Sequence, residues 1–550
     1  MIRRVLVASR GEAARRVLAS CRLVGLETVA VYSDADARAP HIADADWAVH
    51  LPGNALTATY RRGDRLLAAA RRVDADAVHP GWGLLAADPD FAAAVTDDGR
   101  SWLGPPAKLL AALRDEPATT ARLAEAGVRV VSRPAAAALT GRRLDVPVIV
   151  DHHGTAVALG EYDCTVRRGP ELLLAECPSP AVSARLRERL CRAATEAVTA
   201  LGGTGLITVE FLITPAGDCR VLALRPALPP GLPAIECATG LDLVRLQLLV
   251  GEESPLPFRT APALRGHAIT GQLRAQDPAY AWQPTNGRLH RFGFGPVVGA
   301  FRPLAGPGLR LDSGVATGEE VGTHYGPELA SLTAWAPTRH EATRRLARAL
   351  TGAHLHGPTT NRELLVRALR HPDFQAATLD TDFLPRHPEL LAPLLSVVDS
   401  HRLAGLAAAL AAAADRRGRA RALATIGSGW RNVPSGAQTT VYASPMGTFE
   451  IGYRFDRTEE LQHWWVRGVD PDEVDLAGLG QPTSRPADRP PVALVSATGE
   501  RVVLDVAGVL TSYSVHRVGE VSYVDCPDGS VALTELPRYP ASVAPAEGWA

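Results

Sequence analysis

The residues of this chain that could do chemistry are few and scattered. Glu210 is a lone carboxylate inside the apolar run LITVEFLI (206–213). A magnesium ion takes several oxygen ligands in near-octahedral geometry, so one carboxylate does not make a site. Lys108 is the only lysine, and every other member of the 58 Lys and Arg residues is arginine. An arginine-rich coding bias accounts for part of this, but the planar guanidinium fork is not a neutral replacement for a compact ammonium at a phosphate site. His152 and His153 adjoin in DHHG (151–154), which reads as an exposed turn rather than a metal pair. Cys21, Cys164, Cys177, Cys191, Cys219, Cys237 and Cys526 are odd in number and far apart. Without a C-x-x-C pair they read as reduced structural thiols. No G-x-G-x-x-G occurs, so nothing argues for a dinucleotide.

These groups must be positioned by about three or four domains' worth of chain, given 550 residues. An apolar content of 46% with net charge −1 describes a globular protein with no electrostatic reason to bind nucleic acid or an anionic membrane. No apolar run is long enough to span a bilayer, and MIRRVLVASRGEAARR leads straight into patterned structure, so the expected location is cytoplasmic. Apolar periodicity predicts a strand at 4–8, a helix at 10–25 and a strand at 27–32, the opening of an open α/β sheet. A β-hairpin is expected to turn at Asp151–Gly154. The Ala-rich stretch 401–425 predicts a helix that exits at Gly429-Trp430. Seven short alternating segments follow, TTVYAS, TFEIGYRFD, PVALVSA, RVVLDVA, TSYSVHRV, VSYVDC and SVALTEL, and predict a small β-barrel or sandwich.

Longer motifs carry a resemblance. VLVASRGEAAR (5–15), AVHPGWGLLAADPDFA (77–92), WLGPPAKLLAALRDEPATTARLAEAGV (102–128), TVEFL (208–212), TGLDLV (239–244) and HGPTTNRELLVRAL (356–369) stand in order along the chain. They resemble biotin carboxylases, the ATP-grasp subunits or domains of acetyl-, propionyl- and pyruvate-type carboxylases. SGWRNVPSGAQTTVY and CPDGSVALTELPRYP are similar to the domain of actinobacterial-type acyl-CoA carboxylase α subunits that docks onto carboxyltransferase β subunits. The resemblance covers nearly the whole chain. It implies MgATP and biotin as cofactors and ATP-dependent biotin carboxylation as the family activity.

The departures fall where that activity would need side chains. Between the kept flanks TVEFL and TGLDLV, the family's second metal glutamate falls on Ala223, its asparagine on Arg225 and its catalytic arginine on Ala227, leaving Glu210 as the retained metal carboxylate. The phosphate lysine falls on Glu116, a carboxylate opposite a triphosphate. The lysine of the R-H-Q-K segment falls on Leu172, and the adenine hinge on Ala135–Ala138. The Y-D-P-M-L-A-K-L segment becomes Tyr325–Leu332, with Gly326 for the aspartate and Ser331 for the lysine, and E-C-R becomes Thr270-Gly271-Gln272. Arg310 falls on the arginine that faces bicarbonate and biotin, and is kept. The chain runs from Val131 through SRPAAAALTGRR to Leu144, so the glycine-rich lid is expected to be deleted. It ends in PASVAPAEGWA, within the family's linker, and no biotinyl Met-Lys-Met is expected.

The expected organisation is a biotin-carboxylase N-terminal-like domain at 1–104, a lid-deleted ATP-grasp-like domain at 105–260 and a C-terminal-like domain at 261–385. A helical connector at 386–430, a β-barrel-like docking domain at 431–540 and a tail at 541–550 follow. Losing phosphate cations, metal ligand and catalytic arginine together removes both positioning and charge stabilisation from phosphoryl transfer. The expected function is a pseudo-enzyme, a non-catalytic assembly or regulatory subunit of an acyl-CoA carboxylase. Its expected partners are carboxyltransferase β subunits or active biotin carboxylase α subunits, in an oligomer. The alternative is an ATP-dependent biotin carboxylase subunit served by a biotinyl protein in trans, resting on Glu210 and Arg310.

Overall fold

The computed structural model describes residues 2–132, 139–395, 398–422, 436–456, 460–468 and 491–537, together with 135 and 458. The hinge expected at 135–138 falls outside it except for 135, as do the exit at Gly429-Trp430 and the tail 541–550. The chain divides into two compact units, residues 1–350 with 357–391, and residues 351–356 with 392–550. Among the described residues no helix is long and apolar enough to cross a membrane.

The first unit opens with a five-stranded parallel sheet in the order Trp47–His50, Glu27–Tyr32, Arg4–Val7, Ala77–His79, Ser101–Trp102. Its first strand and helix, Arg4–Val7 and Gly11–Leu23, lie within a residue or two of the expected bounds. Buried on both faces, the strands read as unbroken apolar runs, and Val5, Leu6, Val7, Val29, Ala30 and Val31 have no exposed surface.

A nine-stranded sheet then runs without a break across the boundary expected at 260. Its order is Cys219–Arg225, Gly205–Ile213, Arg142–Val150, Tyr162–Asp163, Leu174–Cys177, His267–Arg274, Glu328–Ala336, Gly308–Ser313, with Ala156–Ala158 beside Arg142–Val150. The two expected domains therefore share one sheet. The hairpin turns where expected, with Gly154 at φ +84°. Val131 hydrogen-bonds Val221, and the chain enters the sheet again at Arg142.

In the second unit eight antiparallel strands lie in the order Leu461–Arg467, Gly447–Phe455, Gln438–Ser444, Gly529–Glu535, Val521–Cys526, Val509–Val518, Arg501–Val506, Val492–Ala497. The edge strands approach each other, so the sheet is a near-closed barrel. The helix Val398–Gly418 is not the expected connector. Ala404, Leu406, Ala407, Ala408, Ala409, Leu410 and Ala411 pack with Tyr442, Phe449, Ile451, Tyr453, Val502, Leu504 and Leu533 in one core. A helix apolar all round is an interior helix. The interior of an eight-stranded barrel is only wide enough for side chains, so the helix within it is narrowed by alanine. Seven strands were expected and, among the described residues, eight occur; Leu461–Arg467, LQHWWVR, is the addition.

Candidate functional site

The antiparallel pair Gly205–Ile213 and Cys219–Arg225 carries the expected metal positions, and its register sets Glu210 directly opposite Ala223. Residues two apart on a strand share a face, so Arg225 stands beside Ala223 on the side from which Glu210 is reached. Its guanidinium forms an ion pair with the Glu210 carboxylate. On the other side, Glu210 faces Asp145 of the strand Arg142–Val150. Burial, followed by the Asp145 charge, pushes the Glu210 carboxyl up, while Arg225 and Arg167 pull it back.

Asp145 supplies the second carboxylate that the sequence comparison did not find. It is 1% exposed, accepting from Tyr162 Oη at 2.6 Å and from Cys164 Sγ at 3.3 Å. Both of its oxygens are engaged. Glu210 is paired with a fixed cation and faces an alanine, so these residues do not fit a magnesium ion, which requires free carboxylate oxygens. In the structure the Glu210 carboxylate is one half of an ion pair with Arg225. Glu210, Arg225, Arg143 and Arg167 line a cavity of about 280 Å³. Arg143 Nε and Arg167 Nε and Nη2 are buried there without hydrogen-bond partners. The signal for these residues was a charged start, RRLD, to an otherwise apolar strand.

A second cavity, of about 570 Å³, adjoins through Arg225 and Pro170. Ala227 and Leu172 line it where the family would place an arginine and a lysine, beside Pro229, Pro230 and Trp82. On its polar side Arg10 is held by Asp36 at 2.7 Å and stacks on the Tyr325 ring at 4.3 Å. Glu12 accepts from Ser331 Oγ, which stands where the lysine was expected. Gln272 Nε2 donates to Ser331 Oγ at 2.8 Å and to the Pro230 carbonyl at 3.2 Å. A neutral hydrogen-bonded chain thus runs across the floor of the cleft. Burial, and then Asp312, pushes the Glu12 carboxyl up to about 8.

The structure does not bring the other expected site residues to these cavities. Glu116 lies exposed on the first turn of the helix Glu116–Glu125 and lines neither. Arg310 is fully buried and lines neither. Its Nη1 donates to Glu236 at 2.8 Å and its Nε to Asp312 at 2.9 Å. Glu236 also pairs with Arg16, which reaches Asp242 at 2.8 Å. Arg310, retained at a substrate-facing family position and read also as a structural remnant, has its charge balanced inside an ionic network with Glu236, Asp312 and Arg16. His152 and His153 occupy the expected turn, with His153 Nε2 3.1 Å from the Glu253 carbonyl.

Residues 1–110 match the family model described as biotin carboxylase, N-terminal domain, 138–259 that of the carbamoyl-phosphate synthase L chain, ATP binding domain, and 272–386 the biotin carboxylase C-terminal domain. The chain is 30% identical over 454 residues to a biotin carboxylase of Halalkalibacterium halodurans, covering 70% of this chain and 98% of that one. It is 30% identical over 464 residues to the mitochondrial methylcrotonoyl-CoA carboxylase subunit alpha of Mus musculus, over 72% of this chain and 64% of that one. It therefore spans just under two thirds of that relative. The Rhizobium etli multifunctional pyruvate carboxylase superposes with TM-score 0.68 at 27% identity, over 75% of this chain and 43% of that one. The biotin carboxylase domain of Hydrogenobacter thermophilus 2-oxoglutarate carboxylase superposes with TM-score 0.66 at 24% identity, over 71% and 99%, a likeness of fold.

Proposed function

The chain belongs to the biotin carboxylase family, and from that premise we propose that it is a non-catalytic assembly or regulatory subunit of an acyl-CoA carboxylase complex. One observation carries the reading: the Arg225 guanidinium sits on Glu210 where the family would place magnesium. A tethered cation there competes with a metal at every concentration, since it is never lost by dissociation. The neutral floor Glu12–Ser331–Gln272 and the apolar lining at Ala227 and Leu172 support the same reading. The second unit would dock carboxyltransferase β subunits or active α subunits. Val495 and, two strands away across the sheet, Val509 and Leu510 are 55%, 64% and 66% exposed, and would give such a partner apolar side chains to cover.

The alternative, an ATP-dependent biotin carboxylase subunit using a biotinyl protein in trans, draws support from the unpartnered buried donors of Arg143 and Arg167. An anion would satisfy them. Calorimetric titration of the full chain with MgATP, repeated after mixing with a carboxyltransferase β subunit and followed by light scattering, separates the two. No heat with nucleotide and a defined complex is the expected result. Binding heat that disappears in Glu210→Ala would refute the proposal, and bicarbonate-dependent ATPase activity with free biotin then tests the alternative.

A further inference from the structure

His354 and His356 stand two residues apart on the short strand His354–His356 of the second unit. Alternation along a strand puts their side chains on one face. Asp525, on the strand Val521–Cys526, meets both: His354 Nδ1 lies 2.6 Å and His356 Nε2 2.9 Å from the same oxygen, Oδ2. The Asp525 side chain is 9% exposed, and its other oxygen, Oδ1, is buried with no hydrogen-bond partner. His516 brings its Nδ1 within 2.8 Å of His356 Nδ1, and the Tyr523 ring stacks on His356 at 4.8 Å with 9° between planes.

We propose that His354, His356 and Asp525 bind a divalent transition-metal ion of the zinc class. Their ligand atoms all lie within 4.8 Å of one another, as a single ion requires. Two imidazole nitrogens with one carboxylate suit zinc and its neighbours, whereas magnesium and calcium take oxygen ligands. Ligands about 2.0–2.1 Å from a tetrahedral zinc are roughly 3.3 Å apart, so entry opens the present 2.6 and 2.9 Å contacts slightly. Coordination through His356 Nε2 places its proton on Nδ1, where His516 Nδ1 accepts it, and this second contact orients the ligating ring. His354 is 39% exposed, which gives the ion an entry path and leaves room for a water as fourth ligand. The ion would staple 351–356 to the barrel wall.

A second histidine and carboxylate cluster, His371, Asp373 and His387, is less buried. There His371 Nδ1 already accepts from the Asp373 amide. The barrel cluster is distinguished by the burial of His356 and Asp525 and by one carboxylate oxygen meeting both imidazoles.

The test is a cobalt titration of the chelator-stripped full chain. One Co²⁺ per chain with the strong visible bands of tetrahedral nitrogen and oxygen ligation, displaced by Zn²⁺, is expected. The thermal midpoint of the barrel should rise with ZnCl₂. His354→Ala and Asp525→Asn should each weaken binding at least tenfold, and His354→Gln, which keeps a hydrogen-bonding side chain, guards against a folding defect. Unchanged binding in the His354 variants, a thiolate-to-cobalt band in the near ultraviolet, or no stoichiometric binding in the parent chain would overturn the assignment.

Discussion

Glu12→Gln should remove a pH dependence of stability that the parent chain carries. Glu12 is 9% exposed, and its direct hydrogen bond from the Ser331 hydroxyl does not compensate its burial. Its carboxyl stands at about 8 in the fold against an ordinary 4.5. Between those values the folded chain holds a proton that the unfolded chain has released. Stability therefore falls as pH rises through that window and levels off above it. At about 1.4 kcal/mol per pH unit, the full penalty is on the order of 5 kcal/mol. Glutamine keeps the volume and an acceptor for Ser331 but has no charge to bury. Urea unfolding at pH 5, 6, 7, 8 and 9, followed by tryptophan fluorescence with Trp82 beside the cleft, measures the difference between the two chains. Near pH 5 the curves should nearly coincide, and the variant should gain with each unit up to about pH 8. Because other titrating groups are common to both chains, a difference that stays constant with pH would refute the argument.

Glu236→Gln takes the central carboxylate from between Arg16 and Arg310, both fully buried. Uncompensated buried charge costs about 3–5 kcal/mol, so the unfolding transition of the first unit should fall while that of the barrel stays, as resolved by calorimetry. Gly405→Ala in the barrel helix should destabilise the second unit by about 1–3 kcal/mol, because an added Cβ would lie 2.6 Å from Ile451 and 2.7 Å from Phe449. The sign decides the matter, since the same change on an exposed helix stabilises by about 1 kcal/mol; a raised barrel midpoint in a thermal melt would mean the helix is not enclosed.

The parallel sheet and the hairpin were legible because apolar period and turn composition act locally. The place of the Ala-rich helix was not. Propensity shows that 398–418 is helical, but alanine on every face gives no amphipathic stripe to say what it packs against. The strand Leu461–Arg467 escaped for a related reason: its burial does not alternate, with Trp464 and Trp465 both half-buried. In the site, the opposition of Glu210 and Ala223 followed from a gapless register, but the reach of the Arg225 side chain did not. The Arg310–Asp312 pair was legible in the sequence, since Arg310-Leu311-Asp312 on a strand puts both charges on one face. The same two-residue rule applied to His354-Leu355-His356 would have exposed the barrel cluster, which a search centred on cysteine spacing passes over.

What these misses share is that each partner comes from a distant segment, and the pairings bear on whether the cleft is decaying or rebuilt. Random loss from a charged site removes one partner at a time and strands the other, at a cost of several kcal/mol when buried. Here Ser331 and Gln272, both uncharged where the family has cations, bond each other and reach Glu12 and the Pro230 carbonyl. Arg225 pairs with Glu210, whose own register partner is Ala223. These pairings supply hydrogen bonds at Ser331 and Gln272 and an ion pair at Glu210, while the buried donors of Arg143 and Arg167 beside them keep no partner.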